Sequence, residues 1–188
     1  MFFSKYTGQE EHNYPILLIH KSFTYLLWAL ILIIDVVLWK LIGWSVILGI
    51  ILGVSALLAL ISFQFTRVGT AFFGVIIIPK SWAEHETVLT GLIRHEEQHF
   101  HDQEDLGRLQ FLTTWLTPTG CAYLEGRGYY HNIMLRQQLG YGQPDYYAKY
   151  YSQMLHRLPY LQSMIGSWLR VDVDKAFYEG LRSKGLNV

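Results

Sequence analysis

From Ser22 to Phe65 the chain carries only two formal charges, Asp35 and Lys40, in a run otherwise built from uncharged and largely aliphatic or aromatic residues. A stretch this long and this apolar exceeds what a domain of 188 residues can bury in its own core. A membrane-spanning helix needs about 20 apolar residues, so the run predicts two passes joined by a tight turn at Trp39-Lys40-Leu41-Ile42-Gly43-Trp44. The turn has the residues an interface favours: Trp39 and Trp44 as amphipathic anchors, Lys40 for the headgroups and Gly43 for the reversal. Gly49, Gly53 and Ala56 form a small-residue line on which the first helix could pack, and Asp35 falls near enough to Trp39 to reach water or Lys40.

The expected organisation is therefore an N-terminal segment over 1–21, a transmembrane helical hairpin over 22–65 and a metal-binding domain over 66–188. The run begins after a polar start of about 15 residues and is too long for the apolar core of a cleaved signal, which predicts that it is retained. Lys5, Lys21, Arg67 and Lys80 flank the hairpin against Lys40 alone in its turn. By the positive-inside rule this predicts a two-span integral membrane protein, with both termini and the catalytic region in the cytoplasm and the lipid bilayer as a partner. The 15 basic and 15 acidic side chains cancel, so no basic field exists to attract nucleic acid. The single cysteine, Cys121, excludes an internal disulfide.

After Arg67 the pattern changes. Val75-Ile76-Ile77-Ile78 is short and β-branched, punctuated by Gly69 and Gly74 and ended by Pro79, which predicts a strand or small hairpin. Ser81-Trp82-Ala83-Glu84 is a capping-box pattern and predicts a helix start. Val88, Leu92, His95, His99 and Leu106 recur at helical spacing, and Gly107 is the expected stop. From Leu109 onward three or four helices are expected, broken at Pro118, at Gly140 to Pro144, at Pro159 and at Val171-Asp172. Tyr146, Tyr147, Tyr150, Tyr151 and Met154 form an aromatic stripe that reads as core or membrane contact.

The chemistry concentrates in His95-Glu96-Glu97-Gln98-His99. Histidines four apart on a helix project from one face about a turn apart and can share one metal ion. Glu96 lies at the edge of that face, where it can reach a metal-bound water without being a ligand, as a general base must. A catalytic zinc commonly takes three protein ligands and a water, so a later element must return over the helix. Glu125, on a helix expected after Pro118, is the first candidate; His131, Asp105 and Cys121 are alternatives. Asp102 could instead orient a histidine from behind, while His101 points away from the pair.

These residues resemble the zincin metallopeptidases, and among them the glutamate-liganded gluzincins. His95-Glu96-x-x-His99 matches the active-site helix and Glu125 the downstream glutamate. The run from His95 to Gln103, and the strand ending Ile78-Pro79, also look like the minimal zincin-like proteins of bacteria and phages. The resemblance covers about Arg67 to Tyr130, and Gly126-Arg127-Gly128 departs from the usual surroundings of the third ligand. It implies a mainly α fold, with a short strand or hairpin before the motif helix of a minimal zincin-like domain. It further implies Zn2+ on His95, His99 and Glu125, with hydrolysis of peptide bonds in a protein or peptide substrate. Glu96 would serve as general base and Tyr129 as oxyanion donor, and Val75 to Ile78 would be an edge strand that pairs with extended substrate. The competing expectations are a non-enzymatic membrane, envelope or assembly protein that keeps the fold, and a hairpin that itself forms oligomeric pores or docking surfaces.

Overall fold

The structure, a computed structural model, describes residues 3–5, 14–42, 49–55, 70–72, 74–82, 85–157 and 160–188. It is mainly helical, and the chain divides into two compact units, Met1–Glu84 and His85–Val188.

The first unit is organised by a sheet. Strands β1 (Phe3–Lys5), β2 (Ile16–Ile19), β3 (Thr70–Phe72) and β4 (Val75–Pro79) lie in the order β1-β2-β4-β3. β1 runs antiparallel to β2 and β3 antiparallel to β4, but the central pair is parallel, with Ile16 opposite Ile76 and Leu18 opposite Ile78. The hairpin expected before Pro79 is therefore present as β3 and β4, and Gly74, at φ +79°, supplies the positive dihedral of its turn. Ile16, Leu18, Ile19, Ile76 and Ile78 are buried, as suits the two central strands. β4 has a neighbour on each side, so the expected substrate-pairing edge does not exist at Val75 to Ile78.

Parallel strands need a long crossover, and the apolar run is part of the connection from β2 to β4. It contains α1 (Lys21–Ile42) and helical backbone at residues 49–55. The His20 ring accepts from the Ser22 N–H at 3.2 Å at the start of α1, and Ser55 donates to Asp35 Oδ1 at 2.8 Å. Asp35 is thus tied to the return segment. An added Cβ at Gly49 or Gly53 would meet nothing within 4 Å, so neither glycine is a helix-packing contact. The expected turn at Gly43-Trp44 and the residue Ala56 lie outside the described residues.

The two-span membrane reading is overturned. Among the described residues no helix is long and apolar enough to cross a membrane. In α1 the uncharged run from Ser22 to Ile34 is ended by Asp35. At 1.5 Å per residue those 13 residues span roughly 20 Å, against a hydrocarbon core of about 30 Å. The cytoplasmic placement of termini and site, which rested on two spans, falls with them, as does the pore reading.

The second unit is all helix among its described residues: α2 (Glu86–Leu106), α3 (Arg108–Leu116), α4 (Pro118–Gln138), α5 (Pro144–Leu155), α6 (Leu161–Trp168) and α7 (Val173–Ser183). The start of α2 differs from expectation. Ser81 lies in a single 3-10 turn, Lys80–Trp82, and the α-helix begins only at Glu86, with no side-chain cap. Gly107, at φ +78°, ends α2 as expected. Pro118 and Pro144 start helices, where proline's missing N–H costs nothing, and the Thr117 hydroxyl accepts from Gly120 N at 3.1 Å. Five helices follow α2 where three or four were expected.

α4 is the centre of the unit and packs against α2, α5, α6 and α7. It meets α7 at a crossing where both helices are reduced to glycine. A Cβ on Gly126 would lie 2.2 Å from the Phe177 carbonyl oxygen, and one on Gly180 2.2 Å from that of Tyr123. Around this contact Ile133, Leu155, Val173, Phe177 and Leu181 form the core. The aromatic stripe on α5 is split: Tyr151 is buried and stacks on Tyr129 at 4.2 Å, whereas Tyr146 and Tyr150 are exposed.

Candidate metal centre

α2 and α4 lie antiparallel, as their facing residues show. Gly91 faces Asn132, His95 faces Gly128, His99 faces Glu125 and Asp102 faces Arg127. This register brings the carboxylate of Glu125 onto the two imidazoles of the motif. His95 Nε2 is 3.2 Å from His99 Nε2 and 3.3 Å from Glu125 Oε2, and His99 Nε2 is 3.6 Å from Glu125 Oε1. Three donors on a tetrahedral ion with bonds of about 2.0–2.1 Å are separated by about 3.3–3.4 Å; the two imidazole nitrogens stand near that spacing, the two histidines reach different oxygens of Glu125, and one ligand atom from each of the three residues lies within 4.8 Å of the others. All three residues are buried, and Glu125 Oε2 makes no hydrogen bond. These residues form a group that could bind a metal ion.

Gly128 makes the approach possible. A Cβ there would lie 2.7–2.8 Å from three atoms of the His95 ring, so the imidazole rests directly on the backbone of α4. The two residues before it also carry functions. Gly126 admits α7, and Arg127 reaches back to Asp102 Oδ1 at 3.2 Å. The Gly126-Arg127-Gly128 run is thus what these helix contacts require.

The electrostatics suit a cation. Burial alone would raise the Glu125 carboxyl, but His95 and His99 beside it overcome this and hold the group down at about 2. Burial would likewise lower His99, yet Asp102 and Glu125 reverse this and raise the ring to about 10. A buried carboxylate facing two basic nitrogens is stabilised by positive charge, which a proton or a metal ion can supply.

Behind these three residues is a polar network. Asp102 is fully buried; its Oδ1 accepts from Gln98 Nε2 at 2.7 Å and forms an ion pair with Arg127 at 3.2 Å, and its Oδ2 lies 3.7 Å from His99 Nδ1. Neither His99 Nδ1 nor Asp102 Oδ2 makes a hydrogen bond. His131 is on this outer side, with Nε2 3.2 Å from Gln98 Oε1, and Asn132 Nδ2 lies 3.3 Å from His95 Nδ1. His131 is thus no member of the triangle. His101 and Asp105 are exposed, paired with Glu104 and Arg127, and also stand apart from it. Cys121 is buried and its thiol pushed up, by burial first and then by the charge of Glu125.

Glu96 is buried beside the site, and its charge helps to raise His99, Tyr129 and Tyr160. Tyr129 sets its ring edge against His95, with centroids 4.6 Å apart, while its hydroxyl is engaged in a short hydrogen bond with the Tyr160 hydroxyl. Burial pushes both phenols up. Phe111 of α3 lies 6.3 Å from the His99 ring, centroid to centroid. Arg127, Asn132 and Tyr160 were not anticipated. For Asn132 a signal existed, since Glu125, Gly128 and Asn132 share one helical face at i, i+3 and i+7.

No known protein family, curated protein or solved structure matches the chain.

Proposed function

We propose that the His85–Val188 unit is a zinc-dependent hydrolase of zincin type that cleaves peptide bonds. The observation that carries this reading is the buried group of two imidazole nitrogens and a carboxylate, with one ligand atom from each within 4.8 Å of the others, and a second buried carboxylate, Glu96, next along the helix. Two histidines and a glutamate are a donor set typical of catalytic zinc. A zinc ion held there would lower the pKa of a coordinated water and polarise the scissile carbonyl. Glu96 then takes the water's proton and returns it to the departing amine nitrogen as the C–N bond breaks. Tyr129 and Tyr160, one hydroxyl donating to the other, leave one phenolic proton available to the developing oxyanion.

The burial of His95, Glu96, His99 and Glu125 together favours a second reading, a non-enzymatic protein in which the ion is structural. The two differ at the fourth position, which a structural site closes with a protein ligand. The experiment is a comparison of zinc-loaded wild type with Glu96→Gln against a peptide library. The hydrolase reading expects both to hold one zinc and the variant to cleave about 10²–10⁴-fold more slowly. Equal behaviour of the two, with zinc bound, would sink it in favour of the structural ion.

A further inference from the structure

Resting on the zinc reading above, we propose that Asn132 is the positioning residue that selects the metal-binding tautomer of His95. A neutral imidazole has one N–H and one lone pair. For His95 to offer the Nε2 lone pair to an ion beside Glu125, its proton must sit on Nδ1, and Nδ1 then needs an acceptor. Asn132 is the group at that nitrogen, 3.3 Å away and itself partly buried on α4.

An amide is suited to this because its two ends are opposite in character and similar in size. With Nδ2 towards the ring, as observed, Nδ1 is the acceptor and the proton sits on Nε2, which stands 3.2 Å from His99 Nε2 and 3.3 Å from Glu125 Oε2. A half-turn of the amide places Oδ1 on the ring, fixes the proton on Nδ1 and frees the Nε2 lone pair. Gly91 leaves the space for either end. A Cβ at that position would stand 2.4 Å from Asn132 Oδ1. The two imidazoles thus have unlike partners behind them, a buried carboxylate for His99 and a reversible amide for His95. Outer partners of this kind set ligand orientation and basicity, and their loss typically weakens metal binding about 10–100-fold.

The test measures zinc affinity by competition with a chromophoric chelator for wild type, Asn132→Leu and Asn132→Asp, with folding checked by circular dichroism. Leucine matches the shape but cannot accept, and it should bind zinc about 10–100-fold more weakly. Aspartate accepts only, and should bind as tightly as wild type or tighter. Ring ¹⁵N signals of His95 in the zinc-loaded protein should place the proton on Nδ1 in wild type and the aspartate variant. Leucine binding like wild type, or aspartate falling with leucine, would each overturn the assignment while leaving the hydrolase reading intact, whereas a proton on Nε2 of the zinc-loaded protein would overturn the assignment and remove His95 Nε2 from the donor set as well. A wild type that takes up neither zinc nor cobalt would remove both.

Discussion

Replacing Gly128 by alanine isolates the packing that holds the first histidine. In an exposed helix interior this change stabilises by about 1 kcal/mol, because alanine loses less backbone freedom. Here the new methyl would stand 2.7 Å from the His95 ring, against about 3.4 Å for an ordinary contact. Backbone lies on one side and His99 and Glu125 on the other, so the ring must shift by about 0.7 Å. Metal–ligand distances are held to within about 0.2 Å, so a shift of that size takes Nε2 out of the coordination sphere. Losing one of three protein ligands should weaken zinc binding by well over tenfold, more than about 1.4 kcal/mol. Overpacking costs about 1–3 kcal/mol and offsets the gain in helix propensity, leaving the unit unchanged or up to about 2 kcal/mol less stable.

Gly126→Ala is the control, because its methyl meets the backbone of Phe177 and not a ligand. It should lower the urea midpoint more than Gly128→Ala, while folded protein keeps its zinc affinity. The assay is zinc competition beside urea unfolding for both variants. A Gly128→Ala protein that unfolds later than wild type and binds zinc as tightly would refute the contact between His95 and α4.

Two other perturbations have definite signs. Asp102→Ala leaves the Arg127 guanidinium, mostly buried, with only the exposed Asp105 at 3.7 Å, and should cost up to about 3 kcal/mol in urea unfolding; a loss under about 1 kcal/mol would show that the buried pair contributes little. His131 is held down at about 4, by burial first and then by the charges of Lys184, His95, Arg94 and His101. A base depressed on folding binds its proton more readily when unfolded, so its contribution is complete above about 6.5 and is lost as pH falls towards 4. His131→Gln should flatten that limb of the stability profile, and an unchanged slope would contradict the burial of the ring.

The motif helix was legible because its signal is local. Four-residue spacing puts His95 and His99 on one face whatever surrounds them, and Gly107 stops the helix through its own backbone freedom. The helix start was misjudged because Ser81 and Glu84 match a pattern that the chain after Pro79 does not use; Ser81 is spent in a 3-10 turn. The sheet was half visible. Val75 to Ile78 reads as a strand by itself, but Ile16–Ile19 is too short to announce itself until β4 lies beside it.

By itself, then, the amino-acid order determined which groups could bind a cation and the helix that carries two of them. Tertiary structure decided which carboxylate completes the triangle, because that depends on the register of α4 against α2. It decided also the meaning of Gly126-Arg127-Gly128, where one glycine admits α7, the arginine neutralises Asp102 and the next glycine seats His95. Close approach and charge pairing are properties of two surfaces in contact, and a single strand of sequence describes only one of them.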